Sequence, residues 1–309
     1  MDDSTRAVFY KAFREADYLW IVISLILGWF SHLIRAWRWK YLLDPLELKP
    51  KFWHRYHALM IGYIVNLAIP RAGEATRAAM LYRTDKIPFS KSFGTIIGER
   101  LIDLLMLLII MALALLFSYE EIMSLKEKIS SNNTSSEDSN NMLYISIGLV
   151  FFLALLLIFR KKLANFRQRV KKFFREVMVG VFSIFKSPQP FQFIFYTLLM
   201  WILYVVFFGI CFLSFEETAG FSLGGILVGF IAGTFGIMLT NGGIGAYPYL
   251  VGLVVAFYLP NGNQDTDGIG KALGMLIWSS QTMGMIILGL ISFIFIPRNY
   301  KKEQDESLG

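Results

Sequence analysis

Long apolar segments, separated by short polar ones, dominate the chain. A transmembrane helix needs roughly 20 mostly apolar residues to cross about 30 Å of hydrocarbon. The clearest candidates are Tyr18 to Tyr41, Phe93 to Phe117, Met142 to Phe159, Phe191 to Phe215 and Ile269 to Ile296. The pattern therefore predicts an all-α, polytopic membrane protein.

Two further regions are apolar but broken. One runs from Trp53 through Pro70 to Tyr82, and the other from Phe221 through the sequence NGG at 241–243 to Leu259. Proline removes a backbone donor and disfavours helix in the preceding residue, while glycine permits turns. Each region is therefore predicted to be a broken or re-entrant pair of helices.

The composition supports a membrane location and excludes several classes. Hydrophobic residues make up 55% and charged residues 17%, whereas a soluble domain carries about a quarter charged residues. The single cysteine excludes an intrachain disulfide framework and a cysteine-rich metal site. His54 and His57 lack an evident acidic partner and are interpreted as interfacial, so we expect no metal and no cofactor.

Charge sets the predicted orientation. The net charge of +7 comes from basic residues between the spans, which favours an anionic lipid surface over nucleic acid. Basic residues, among them Arg35 and Arg38, follow the first span, and others follow the span that begins at Met142, so those two loops are predicted to be cytoplasmic. The N-terminus is then outside and the C-terminus inside.

The chain is predicted to form a single transmembrane domain, 1–300, followed by a cytoplasmic tail at 298–309. The domain comprises a first half (18–118, break at 66–77), an external polar loop (119–141), a span with a basic amphipathic helix (142–187) and a second half (191–297, break at 240–248).

This path gives the two broken regions opposite topology. Such an arrangement is typical of inverted repeats, in which interrupted helices meet near the bilayer midplane. Irregular backbone at that depth is tolerated only inside protein or along a polar cavity. The breaks are therefore the first candidate sites.

The first break, NLAIPRAGEATRAAML, carries charge beside exposed helix amides. Arg71, Arg77 and the amides after Gly73 would form an anion site, with a lipid phosphate as the candidate anion. Alternatively, Arg71, Glu74 and Arg77 form an ion-pair ladder at the interface. The candidate site residues in this segment are Asn66, Arg71, Gly73, Glu74 and Arg77.

A second charged set lies within a predicted span. Glu99 falls roughly 12 Å beyond Lys91, and Glu99 and Asp103 share a helix face where like charges repel. Arg100, a proton, or Arg71 or Arg77 from the break could compensate them. Each central charge costs roughly 2.5 kcal/mol or more, which favours a site over a buried ion pair that only fixes packing.

Glycines mark the second break, and tryptophans mark the span ends. Gly242, Gly243 and Gly245 either line a substrate path or serve helix packing. An interfacial aromatic belt is predicted from Trp20, Trp37, Trp39, Trp53, Trp201 and Trp278.

The ordered motifs resemble a known family. The segments RAWRWKYLL, N…PRAGEATR, GER..D and GGIG resemble the lysylphosphatidylglycerol synthase transmembrane-region family of flippase-like proteins. The resemblance implies a bacterial inner-membrane protein related to proteins that move aminoacylated phosphatidylglycerol between leaflets. It also implies that Asn66, Pro70, Arg71, Gly73, Glu74 and Arg77, then Glu99, Arg100 and Asp103, then Gly242, Gly243 and Gly245 match the family motifs. Relatives usually begin with a further hydrophobic span, and an external N-terminus fits a lost or a truncated helix.

Three classes of function are consistent with these residues. The leading hypothesis is a flippase-like transporter that moves or binds an anionic phospholipid or lipid-linked phosphate. A membrane transferase using Glu99 or Asp103 as a base, or an accessory subunit with fully paired charges, are the alternatives. A short charged tail follows Pro297, so we expect no aminoacyltransferase domain and no enzyme. The sequence is compatible with a homo-oligomer.

Overall fold

The structure, a computed structural model, describes residues 3–118, 188–259 and 266–296, together with positions 175, 178 and 179. The described helices belong to one compact unit, formed by Met1–Ser118 and Val177–Gly309. The predicted Met142 span, the external polar loop, the basic amphipathic helix and the C-terminal tail lie outside the described residues, apart from those three positions.

The described part of the chain is helical throughout its regular elements. The helices are α1 (Asp3–Glu15), α2 (Tyr18–Leu43), α3 (Phe52–Ala68), α4 (Ala72–Asp85), α5 (Phe89–Phe117), α6 (Pro190–Ile210), α7 (Leu223–Leu239), α8 (Ala246–Tyr258) and α9 (Thr266–Phe295). Short 3₁₀ turns follow α2, α6 and α7, and the last of these is Asn241–Gly243.

Four of the helical segments are long and apolar enough to cross a membrane. They are Tyr18–Leu46, Phe89–Phe117, Pro190–Ser214 and Thr266–Phe295. These correspond to four of the five predicted spans, which confirms the prediction of a multi-pass, all-helical membrane protein. The segments carry many exposed leucines, isoleucines and phenylalanines, as helices in contact with lipid do.

The two broken regions each form a pair of shorter helices. In the first hairpin, α3 and α4 are joined at Ile69–Arg71, where Arg71 has a φ of 63°. In the second hairpin, α7 and α8 are joined through the 3₁₀ turn, where Gly242 and Gly243 have φ values of 65° and 82°. Left-handed backbone interrupts both pairs, because it cannot continue a right-handed helix.

Small residues let the helices of each hairpin approach closely. A Cβ built on Gly73 would collide with the Gly62 carbonyl oxygen and lie 2.6 Å from Asn66 Cγ. In the second hairpin, a Cβ on Gly236 would lie 2.7 Å from Tyr247 Cα. Close backbone packing through small residues is typical of membrane helices, because van der Waals contact drives their association.

The ends of the two hairpins meet. A Cβ on Gly242 would lie 2.8 Å from Leu67 Cδ2, at the end of α3. The indole Nε1 of Trp278, on α9, donates to the Gly242 carbonyl oxygen at 2.8 Å. Both broken regions are therefore neighbours within one packed unit.

An N-terminal helix, α1, was missing from the sequence prediction. Its residues Val8, Phe9, Ala12 and Phe13 pack against the buried core that α8 and α9 help to form. The Asp17 side chain then accepts from the Leu19 amide at 3.0 Å and caps α2. With 13 residues, several of them charged, α1 is too short and too polar to be predicted as a membrane-spanning helix.

Candidate functional site

A cluster of charged side chains is buried where α2, α4 and α5 come together. The side chains of Glu99 and Arg38 have no exposed surface, and those of Arg77 and Arg35 are 3% and 6% exposed. Asp103 is 12% exposed. We refer to these five residues, with Glu74 and Arg100 at their edge, as the charged cluster.

Glu99 lies at the centre of the charged cluster. Arg35 approaches it from α2, with Nη2 2.6 Å from Oε1, and Arg77 approaches from α4, with Nη2 3.0 Å from Oε2. Arg38 Nη2 is 3.4 Å from Oε1. One carboxylate is thus shared by three guanidinium groups from two helices, a dense set of charge-assisted contacts.

Asp103 shares two of these arginines. Arg35 Nη2 donates to Oδ2 at 2.7 Å, and Arg38 Nη2 donates to Oδ1 at 2.9 Å. The arginines of α2 therefore bridge the two carboxylates of α5, which explains how these like charges lie four residues apart on one helix face.

The edge of the charged cluster is more exposed than its centre. Arg100 Nη2 donates to Glu74 Oε1 at 2.6 Å, and the two side chains are 41% and 23% exposed. Arg100 is 3.9 Å from Asp103, so its main partner is Glu74 on α4. Any approach of a ligand to the charged cluster is easiest at this edge.

Uncharged polar and aromatic groups support the arginines. The guanidinium of Arg77 lies 4.3 Å from the Trp39 ring centre, and Trp39 Nε1 donates to Thr95 Oγ1 at 2.9 Å. Arg35 Nη1 donates to the Tyr204 hydroxyl at 3.3 Å. Stacking on an indole favours a buried guanidinium through the ring quadrupole.

Sequence reasoning missed four of these residues. Arg35 and Arg38 were counted as part of a cytoplasmic basic loop, but both lie within α2 and are buried. Trp39 was predicted to belong to the interfacial belt, yet it is fully buried beside Arg77. The available signal was spacing, because Arg35 and Arg38 share a helix face as Glu99 and Asp103 do. Tyr204 gave no comparable signal.

The charged cluster holds an excess of positive charge. It contains four arginines, namely Arg35, Arg38, Arg77 and Arg100, against the carboxylates of Glu74, Glu99 and Asp103. Three buried polar atoms in it have no hydrogen-bond partner: Arg38 Nε, Arg77 Nε and Glu74 Oε2. A net cation inside a membrane protein is costly, so this arrangement favours binding of one further anion.

Of the residues predicted to form an anion site at the first break, only some face the charged cluster. Asn66 Oδ1 accepts from the Gly73 amide at 2.6 Å, so this amide at the start of α4 is capped and is not open to an anion. Arg71 is exposed at the tip of the hairpin, whereas Arg77 faces the charged cluster. The predicted residues Arg71 and Arg77 are therefore not brought together.

We expect Asn66→Ala to lower the free energy of unfolding by about 1 kcal/mol, because the Gly73 amide loses its acceptor. Asn66→Asp keeps an oxygen at the same place and should lose less. Thermal unfolding in detergent micelles measures both variants. An equal loss for the two would assign the effect to the amide nitrogen of Asn66 instead.

The glycines of the second break do not join the charged cluster. Gly243 is buried, Gly245 is exposed, and Gly242 packs on Leu67 of the first hairpin. Asn241 Oδ1 is buried here without a hydrogen-bond partner. This break therefore contacts the first hairpin and presents one unpaired acceptor.

His54 and His57, interpreted from the sequence as interfacial, are buried between helices and have polar partners. Both are buried, and His54 Nδ1 lies 2.9 Å from the Asp85 carboxylate at the end of α4. His57 Nδ1 lies 3.0 Å from Ser292 Oγ on α9. These contacts tie α3 to its neighbours, and the acidic partner of His54 is too distant in sequence to be recognised from the pattern.

Comparison with known proteins supports a single family. The sequence matches the lysylphosphatidylglycerol synthase transmembrane region over residues 7–264. It is 28% identical over 112 residues to a UPF0104 membrane protein of Pyrococcus horikoshii, covering 35% of this chain and 33% of that protein. It is also 28% identical over 87 residues to a UPF0104 membrane protein of Methanocaldococcus jannaschii, covering 27% and 26% of the two chains.

The aligned segments thus span about a third and a quarter of the lengths of these archaeal relatives. No solved structure matches the chain significantly. The family match covers most of the described helices, including both hairpins and the charged cluster. The chain therefore belongs to the lysylphosphatidylglycerol synthase transmembrane-region family.

Proposed function

We propose that this protein is a flippase-like lipid transporter, which binds an anionic phospholipid or lipid-linked phosphate and moves its headgroup through the membrane. The observation that carries the proposal is the unbalanced charge of the buried cluster, with four arginines and three carboxylates. A phosphate headgroup of charge −1 supplies the missing anion. Guanidinium groups suit phosphate because they offer planar, paired donors.

The site would work by exchange of counter-ions. In the present state, Arg77 pairs with Glu99, and Arg100 pairs with Glu74 at the exposed edge. An arriving phosphate would compete with Glu74 for Arg100 and then with Glu99 for Arg77. Arg71, at the exposed tip of the first hairpin, would attract the headgroup before it enters. The acyl chains would stay in the surrounding lipid.

The transferase alternative receives less support from this geometry. All four carboxylate oxygens of Glu99 and Asp103 lie within 3.0 Å of a guanidinium nitrogen. A general base must present an oxygen to the proton that it removes. In this arrangement, both carboxylates instead serve as counter-ions to arginine.

We expect Arg77→Gln to slow headgroup translocation about tenfold, because one charge-assisted contact is worth about 1.5 to 3 kcal/mol. The assay reconstitutes the protein in liposomes that contain a fluorescent phosphatidylglycerol and measures its loss from one leaflet. Arg71→Gln should lower the rate less, since Arg71 is only a first point of attraction. The folded state should persist, because the substitution balances the charges of the cluster.

Arg83→Gln is the matched control, since Arg83 is an exposed arginine on the same helix α4. Its rate should equal that of the unaltered protein. Equal rates for Arg77→Gln and the unaltered protein would remove Arg77 from the site. Absence of translocation of any tested lipid by the unaltered protein would favour the accessory-subunit alternative.

We further propose that the protein lies in the plasma (inner) membrane, with its N-terminus outside and its C-terminus in the cytoplasm. The support is the distribution of Lys and Arg between the predicted spans. In this orientation the charged cluster lies in the cytoplasm-facing half. The two hairpins would then form inverted repeats, with their ends in contact through Leu67 and Gly242.

A further inference from the structure

A second basic site lies outside the charged cluster, where α2 ends and α3 begins. A cleft of about 490 Å³ is lined by Lys40, Asp44, Lys49, Pro50, Arg55 and Pro188. The cleft falls within the usual range for ligand pockets, about 300–1,000 Å³. Its lining carries three basic side chains and one acidic side chain, so it is net positive.

Arg55 is the fixed element of this cleft. Arg55 is only 5% exposed. Its Nε donates to the Ala36 carbonyl oxygen at 3.0 Å, and its Nη1 donates to the Pro50 carbonyl oxygen at 2.7 Å. Among the described residues, Arg55 has no carboxylate within ion-pair distance. Neutral carbonyl acceptors hold the buried Arg55 guanidinium in place before a ligand binds, and Asp44 in the same cleft offsets part of its charge.

The two lysines add mobile charge at the mouth of the cleft. Lys49 is exposed on the loop before α3, and the Lys40 side chain is 41% exposed in the last turn of α2. Asp44 offsets part of this charge, with its Oδ2 3.4 Å from Lys40 Nζ. The remaining imbalance favours an anion of one or two charges, such as a phosphodiester.

The surroundings of the cleft indicate that a lipid supplies this anion. Trp37 on α2 and Trp53 on α3 are 43% and 57% exposed, and the Phe52 ring contacts both Trp37 and the Arg55 guanidinium. Exposed tryptophans at helix ends mark the headgroup level of a bilayer. Exposed tryptophans beside the cleft are the feature expected of a site at the depth of lipid phosphates.

We propose that this cleft is an interfacial binding site for the phosphate of an anionic membrane lipid, with Arg55 as its fixed donor and Lys40 and Lys49 closing over the headgroup. The site is separate from the charged cluster. It requires only that the lipid binds there, and it holds whether or not the protein transports lipid.

The test titrates phosphatidylglycerol onto the purified full-length protein in neutral detergent and counts bound lipids by native mass spectrometry. Lys40→Gln with Lys49→Gln should weaken the binding of one lipid about thirtyfold, which corresponds to about 1 kcal/mol for each of two basic residues near the membrane surface. Lys51→Gln is the matched control, because Lys51 is exposed two residues from Lys49 and does not line the cleft. Its affinity should remain within about twofold.

Further arms identify the source of the anion. Phosphatidylcholine should bind more weakly than phosphatidylglycerol, and inorganic phosphate at millimolar concentration should displace little lipid. Unchanged phosphatidylglycerol binding in the double variant overturns the proposal. The proposal is also overturned if the protein binds free phosphate through Lys40 and Lys49 but binds no lipid there. The ligand of the cleft would then be a soluble anion.

Unfolding temperatures of the two lysine variants check that each is folded. In the liposome assay, Lys40→Gln with Lys49→Gln should translocate headgroups at the rate of the unaltered protein, which separates the cleft from the charged cluster. A negative result here therefore leaves the transport proposal standing, and failure of the transport assay leaves this site standing.

Discussion

Glu99→Gln is expected to lower the free energy of unfolding by about 3 to 5 kcal/mol, the cost of removing one partner from a buried ion pair. The carboxylate of Glu99 faces Arg35, Arg38 and Arg77, and its side chain is fully buried. Without it, the charged cluster holds four arginines against two carboxylates. The measurement is thermal or denaturant unfolding of the purified protein in detergent.

A second substitution tests whether charge causes this loss. In Glu99→Gln combined with Arg77→Gln, the charge excess returns to its original value, and part of the stability should be regained. Glu217→Gln, at an exposed glutamate, should have almost no effect. If the double variant is no more stable than Glu99→Gln alone, the loss arises from packing around Glu99.

Gly73→Ala is expected to be nearly as damaging, with a loss of about 1 to 3 kcal/mol or more for overpacking. The added methyl group would collide with the Gly62 carbonyl oxygen and would lie 2.6 Å from Asn66 Nδ2. Backbone atoms cannot turn aside as a flexible side chain can. The α3–α4 hairpin must therefore open, which also moves Arg77 away from Glu99.

Gly220→Ala is the control, because a Cβ at Gly220 meets nothing within 4 Å. Its unfolding temperature should be close to that of the unaltered protein. Full retention of stability in Gly73→Ala would mean that α3 and α4 can separate at little cost. The charged cluster would then tolerate larger shifts of α4 than the packing suggests.

The spans and the breaks were predictable because their signals are local. Lipid requires a continuous apolar helix, and a break needs proline or glycine where Pro70 and Gly242 stand. The need to compensate Glu99 and Asp103 was also predictable, since like charges cannot remain unpaired in a membrane helix. Arg77 was among the partners considered for them.

The identity of the other partners was not predictable from local signals. Arg35 and Arg38 are basic residues near the end of a span, and a rule that counts charges assigns them to the cytoplasmic loop. Only the rotation of α2 against α5 and α6 shows that they point inward. The capping of Gly73 by Asn66 depends likewise on how tightly two helices fold together.

The contact between Leu67 and Gly242 constrains how this protein can move. The turn that Gly242 occupies is bonded to α9 through Trp278, and α9 is bonded back to α3 through Ser292 and His57. The two hairpins therefore contact each other directly, and each is also bonded to α9. Neither hairpin can therefore shift against the other without breaking at least one of these contacts.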